Sequence, residues 1–249
     1  MTRGDRLHLI LRLFSPERPL WTAEDVAEAL NVSLSTAYRQ LGALVKSDLI
    51  EAVAGSHAYV LGPAVIELDR SIRLSDPLLT VATPAMRWLA EQAPVSCTIL
   101  LCRLYRDRVM CVQQEEKPGE AGAVSYERGR PMPLSRGAPS KAILAQLPAR
   151  RLAGLIATVA AENAPAPGFD VATFRRQLRD IRRRGFCITQ GEVDPGIIGL
   201  AVPLATPRRS MVASLGIACF GTPDAVTLAR VRALLVATAE TIKASLPAR

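Results

Sequence analysis

Leu7, Ile10, Leu11 and Phe14 recur at i, i+3, i+4 and i+7, one face of a helix, and Pro16 and Pro19 end that run. Thr22 provides an N-cap with Asp25 three positions on, in a capping-box arrangement, and the helix it opens runs to about Leu30. Asn31 and Val32 make a tight connection, and Ser33 caps a third helix that runs to about Ser47. Leu49 to Val53 and Ala58 to Leu61 read as two short strands around Gly55-Ser56-His57, a hairpin.

Gly62-Pro63 closes this module, and a linker helix over 64–74 follows, carrying Ala64, Ile66, Leu68 and Ile72. Pro77 opens a larger unit, predicted as a helix to about Ala93 and strands at Ser96–Leu104 and Arg108–Gln114. The Gly-, Pro- and charge-rich tract from Lys117 to Pro133 reads as loop with a short strand. Helices are predicted near 140–147, 150–160 and 170–184. Strands at 199–205 and 211–220 are joined by the turn Pro207-Arg208-Arg209-Ser210, and a final helix runs from about Asp224 to Leu246. Helices flanking mostly antiparallel strands make the whole an α+β protein of two domains. The boundaries are 1–62 for the N-terminal module, 63–76 for the linker and 77–249 for the larger domain.

The third helix carries the first functional signal. At 100° per residue, Leu34, Ala37, Leu41, Leu44 and Val45 share one stripe, predicted to be buried. Ser35, Thr36, Arg39, Gln40, Ala43 and Lys46 fall opposite, with no acid between Asn31 and Ser47. Small, hydroxylic, amide and basic residues on one face suit entry into a major groove. Arg and Gln pair with base edges, while hydroxyls and Lys meet phosphate. Tyr38 flanks the stripe, its hydroxyl within reach of a phosphate. The hairpin that follows would be the wing of a winged helix-turn-helix, with Ser56 and His57 at its tip. The candidate DNA-binding residues are therefore Ser33, Ser35, Thr36, Tyr38, Arg39, Gln40, Lys46 and His57.

Charge changes this picture less than its total suggests. The net charge is +8, yet residues 1–62 hold six Lys/Arg against seven Asp/Glu, and the positive excess lies in residues 63–249. The cluster Arg175, Arg176, Arg179, Arg182, Arg183 and Arg184 supplies part of it. The DNA reading thus rests on pattern and not on bulk charge. Five cysteines, odd in number and with no C-x-x-C pair, read as reduced buried thiols, and two histidines leave no basis for a zinc site. No uninterrupted apolar run reaches membrane-spanning length, and Met1 to Phe14 lacks the order of a signal peptide, so a cytoplasmic protein without membrane partners is expected. No cofactor is expected.

Trp21–Leu30, Asn31–Glu51 and Tyr59–Asp69 together resemble the winged helix-turn-helix of IclR-type regulators. Ser35, Thr36, Arg39 and Leu41 match that family's S-T-x-x-R-x-L core, and Tyr59, Leu61 and Gly62 match its Y-x-L-G wing strand. Leu134–Pro148 is similar to the family's G-K-A-L-L-A helix, and Arg182–Leu204 to its R-x-x-G-Y…E-x-x-x-G-x-x-x-x-A-x-P stretch. The wing departs from the pattern at Ala58 and Val60, where many members carry basic residues. The resemblance covers nearly the whole chain. It implies a GAF-like effector domain, a homodimer or homotetramer, double-stranded palindromic promoter DNA as partner, and a small organic acid as effector.

Three features suggest where that effector binds. Val212, Ser214, Gly216, Ala218 and Phe220 alternate with the more apolar Met211, Ala213, Leu215, Ile217 and Cys219, leaving one strand face small. Such a face makes room for either a ligand or a packing helix. Ser135-Arg136-Gly137-Ala138 precedes a helix predicted to be capped by Ser140, where amide groups and Arg136 would suit a carboxylate. Gly191 to Gly199 forms a loop able to close over a ligand. By the resemblance, Thr189, Gly199, Gly216 and Ala218 occupy positions where members that bind small polar acids carry Cys, Ser or Asp. A roomier, less polar pocket and an aromatic or bulky acid follow. The candidate effector residues are Ser135, Arg136, Gly137, Ala138, Ser140, Thr189, Gly199, Gly216 and Ala218.

Catalysis finds no support. G-x-S-x-G, H-E-x-x-H, P-loop and G-x-G-x-x-G patterns are all absent, and both histidines lie in the N-terminal module. The alternative that stays open is a small-molecule or thiol-sensing module that does not bind DNA.

Overall fold

The computed structural model describes residues 7–117, 123–163, 169–204 and 212–247. The chain divides into two compact units, Met1–Asp76 and Pro77–Arg249.

The first unit runs α1 (Leu7–Leu11), β1 (Trp21–Thr22), α2 (Ala23–Leu30), α3 (Leu34–Val45), β2 (Ile50–Ala52), β3 (Ala58–Leu61) and α4 (Ala64–Ser75). Its core gathers Ile10, Phe14, Trp21, Val26, Leu41, Leu44 and Ile50. The capping box forms as predicted: the Thr22 hydroxyl accepts from the Asp25 amide while the Asp25 carboxylate accepts from the Thr22 amide. Asn31 ends α2 in the left-handed region at φ 49°, a conformation its side chain tolerates. Gly62 is irreplaceable on steric grounds, since a Cβ there would lie 2.3 Å from the Asp48 carbonyl oxygen.

Two features depart from the sequence reading. Trp21–Thr22 form a strand paired with β3, making a three-stranded sheet of order β1-β3-β2 where the hydrophobic pattern predicts only a hairpin. Two residues are too short to show a period. Trp21 is held by its side chain: the indole N–H donates to the Arg18 carbonyl at 3.1 Å, and the Arg18 guanidinium lies 3.6 Å over the ring. The buried arc of α3 is also displaced from the predicted stripe. Leu34 is 43% exposed in the first turn and Val45 only half-buried, while Gln40 is buried. Both α1 and α2 pack against α3, so its covered surface is wider than one stripe.

The second unit is built on a six-stranded antiparallel sheet of order β6-β5-β4-β9-β8-β7. Its strands are β4 (Cys97–Tyr105), β5 (Arg108–Glu116), β6 (Pro131–Met132), β7 (Cys187–Gln190), β8 (Ile197–Pro203) and β9 (Ala213–Phe220). One face packs against α5 (Pro77–Gln92) and α9 (Ala225–Ser245) through Leu79, Met86, Leu89, Leu215, Ile217, Leu235 and Ile242. The other face takes α6 (Ala138–Gln146), with α7 (Ala149–Asn163) and α8 (Val171–Arg184) completing that core through Ile156, Val159, Phe174 and Leu178. The observed α+β arrangement agrees with the predicted class. The predicted turn at 207–210, and Met211 with it, lie outside the described residues. No helix among the described residues is long and apolar enough to cross a membrane.

Candidate effector site and candidate nucleic-acid interface

Helix α3 begins at a well-made cap. The Ser33 hydroxyl accepts from the Thr36 amide and donates to the Thr36 hydroxyl at 2.9 Å. Ser33 and Thr36 therefore stabilise the start of the helix, and Ser35, Arg39 and Lys46 stand exposed beyond it. Tyr38 is 46% exposed, and its hydroxyl reaches Glu24 at 3.4 Å instead of standing free for a phosphate. The Glu24 charge raises the phenol's pKa. His57 is exposed in the β2–β3 turn. Gln40 does not join this face: it is 7% exposed and its Oε1 has no hydrogen-bond partner. On the helical wheel it borders Leu44, and the packing of α1 and α2 draws it inside.

In the second unit the small face of β9 serves two purposes. A Cβ at Gly216 would lie 3.2 Å from the Pro139 side chain, and the Ser214 hydroxyl donates to the Pro139 carbonyl at 3.2 Å. Gly216 therefore admits α6 and does not line a cavity. Gly199 and Ala218 do line one, together with Leu100, Val124, Tyr126, Gly137, Ala138, Pro139, Thr189, Ile197 and the loop residues Glu192, Val193 and Asp194. A Cβ on Gly199 would lie 2.9 Å from the Thr189 hydroxyl, 3.5 Å from the Ala138 Cβ and 4.0 Å from the Ala138 amide nitrogen. The missing side chain thus lets the Thr189 hydroxyl and the start of α6 come close to β8.

The cavity is smaller than the sequence implies. It encloses about 30 Å³, roughly one water molecule. Loop 191–196 closes it with two carboxylates. Glu192 accepts from the Gly137 amide at 3.1 Å and from the Lys141 ammonium at 2.5 Å. Asp194 accepts from the Ser125 amide at 2.9 Å and from its hydroxyl at 2.5 Å. The protein's own carboxylate therefore occupies the helix N-terminus where a ligand acid is predicted.

Ser135, Arg136 and Ser140 belong elsewhere. The helix N-cap is Gly137, at φ 82°, with the Tyr126 ring so close that a Cβ would lie 2.6 Å from its hydroxyl. Ser140 is fully buried inside α6, donating to the Pro133 carbonyl at 2.8 Å and lying 2.8 Å from the Tyr126 hydroxyl. Burial pushes the pKa of that phenol up. Ser135 and Arg136 face a separate cleft lined also by Phe169, Thr173 and Gln177. Sequence reasoning in turn misses Glu192 and Asp194 as loop anchors. Their partners, Gly137, Lys141 and Ser125, lie 51 to 69 residues away, beyond any local pattern.

The thiols are poorly placed for chemistry. All five cysteines are reduced and buried, and burial pushes Cys187 and Cys219 each up to about 12 and raises Cys102 well above its ordinary value. Among the described residues no group of three or more His, Cys, Asp and Glu is arranged to hold a metal ion.

Comparison with known proteins gives a consistent answer. Residues 5–54 match the IclR helix-turn-helix domain, and residues 74–244 match the domain described as bacterial transcriptional regulator IclR C-terminal. The HTH-type transcriptional regulator Rv1719 of Mycobacterium tuberculosis is 29% identical over 189 residues, which span 76% of this chain and 71% of that protein. An IclR-type regulator from Alicyclobacillus acidocaldarius superposes with a TM-score of 0.83 at 23% identity, covering 98% of both chains. An IclR homologue from Microbacterium hydrocarbonoxydans, solved in complex with 4-hydroxybenzoate, superposes with a TM-score of 0.78 at 20% identity over the whole of both chains. With a DNA-binding helix-turn-helix unit ahead of an α+β effector unit, and both domain matches in register with that division, this chain belongs to the IclR family of bacterial transcriptional regulators and is not an enzyme.

Proposed function

We propose that the protein is a cytoplasmic, ligand-responsive regulator that reads a palindromic promoter site and senses an aromatic or otherwise bulky organic acid. Residues 1–62 read the DNA, 63–76 form the linker, and 77–249 sense the ligand and hold a homodimer or homotetramer together. Two-fold symmetry in the protein matches the palindrome in the DNA.

On the DNA side, Arg39 is the base-reading residue, with Ser35 and Lys46 on phosphate and His57 at the wing tip. The exposure of these side chains on and beside α3 supports that assignment. Ser33 and Thr36 contribute by fixing the start of the helix.

On the ligand side, the observation that carries the reading is the cavity beside Gly199, where the Ala138 amide and the Thr189 hydroxyl converge next to apolar side chains of Leu100, Ile197 and Ala218. An acid group would take the two donors and a ring the walls. The Microbacterium homologue, bound to 4-hydroxybenzoate, is in keeping with that chemistry. A ring exceeds the closed cavity, so entry requires loop 191–196 to swing away.

Purified protein incubated with sheared genomic DNA at about 150 mM salt, where nonspecific phosphate contacts are screened, should enrich a few sites that share an inverted repeat. Aromatic acids added singly should shift that enrichment, and two- or three-carbon oxoacids should not. Failure to enrich any site, with or without acids, would overturn the reading.

A further inference from the structure

Two buried side-chain atoms among the described residues have no hydrogen-bond partner, Gln40 Oε1 and Thr98 Oγ1. Thr98 is fully buried on β4. A purely structural threonine at such a place would donate to a neighbouring carbonyl, and this one does not. A hydroxyl taken out of water without a partner is unfavourable unless something else satisfies it.

Its position in the sheet indicates what that is. Cross-strand pairing links Thr189 to Gly199, Gly199 to Ala218, and Ala218 to Thr98. Directly paired residues share a sheet face, so these four form one row. Thr189, Gly199 and Ala218 all line the effector cavity. The row thus carries two small residues between the Thr189 and Thr98 hydroxyls, and Glu116 of β5 pairs with Thr98 beyond them. Thr98 stands one strand beyond Ala218, at the end away from α6's first amide.

We propose that Thr98 is a ligand-reading residue, whose hydroxyl pairs with a second polar group on the effector, one aromatic ring away from the acid group. This rests on the effector site described under Proposed function. Two strand spacings separate Gly199 from Thr98, about 10 Å. Hydrogen-bond reach of about 3 Å at the Thr98 end leaves room for one six-membered ring with para substituents. The cover over this row is a clasp: Val124 and Tyr126 line the cavity on either side of Ser125, and Ser125 is bonded to Asp194 of the loop. Displacing the loop therefore releases the segment beside it as well, and opens the row along its length.

The test uses the full chain with Thr98→Val, which keeps the shape and removes the hydroxyl, and Thr98→Ser, which keeps the hydroxyl. Calorimetric titration with 4-hydroxybenzoate, benzoate and phenol is combined with thermal melting of the unliganded proteins. Wild type should prefer 4-hydroxybenzoate over benzoate by about tenfold, Thr98→Val should lose that preference with benzoate affinity unchanged, and Thr98→Ser should retain it. Unliganded Thr98→Val should melt no lower than wild type. A lower melting temperature, equal binding of the two acids by wild type, or a preference that survives in Thr98→Val would each overturn the proposal. Binding of phenol alone, lost in Thr98→Val, would sustain Thr98 while refuting the acid reading. Binding of none of the three would overturn Thr98.

Discussion

At the scale of single residues, α3 sets Arg39, exposed and proposed to read a base, beside the buried Gln40. Arg39→Ala should weaken operator binding by about 1–3 kcal/mol and relax specificity at one base position, with the melting temperature unchanged; gel-shift titration against wild-type and single-base-variant operators measures both. Gln40 should behave in the opposite way. Its unpartnered Oε1 is buried, so Gln40→Met should leave operator affinity as it is and raise stability by up to about 1 kcal/mol. Urea denaturation alongside the same gel shift checks that pair of outcomes. The difference between these two residues was only half legible in the sequence. A wheel at 100° per residue puts Arg39 far from the apolar stripe but Gln40 at its margin. Which margin is covered depends on how α1 and α2 pack, and that information is tertiary.

At the scale of elements, the sequence exposed what local chemistry governs and hid what distant pairing governs. The capping box at Thr22, the Ser33 cap, the tight connection at Asn31-Val32, and helices α5, α8 and α9 follow from propensity, caps and period. Strand β7, with four residues, gave no signal strong enough to be read as a strand, although it carries Thr189. Ser140 looked like a cap because serine favours that role, yet Gly137 takes it, since the chain there needs a positive φ and a close Tyr126. The small face of β9 was ambiguous between cavity and helix packing, and it turns out to be divided between them along the strand. Loop 191–196 is where the elements meet, because Glu192 ties it to α6 and Asp194 ties it to Ser125. Asp194→Asn weakens one tie without stranding a buried charge, and it should speed amide hydrogen exchange of residues 191–196 severalfold while sparing the β8–β9 core. Unchanged protection would mean that the loop is held by its backbone and not by its carboxylates.

At the scale of the whole molecule, charge and apolar surface are unevenly shared between the two units. The positive excess lies outside residues 1–62, so the winged helix module approaches DNA with local side chains and not with a broad field. If two modules bind one site, half-sites should be centred about one helical turn, 34–36 Å, apart or a multiple of it, which footprinting on an enriched operator would show. Helix α4 has no buried residue, and Ile66, Leu68, Ile72 and Leu74 are 73%, 55%, 56% and 65% exposed. In the proposed homodimer or homotetramer a second copy would cover that apolar surface, and such association follows mass action. Its consequence reaches the promoter. Below the concentration at which copies pair, operator occupancy should climb with the square of the number of molecules per cell, so a twofold change in expression would move occupancy about fourfold. Replacing Ile66 and Leu74 by glutamine should shift that dose–response to higher protein concentration and widen the range over which it is quadratic, so this helix would set the expression level at which the operator fills.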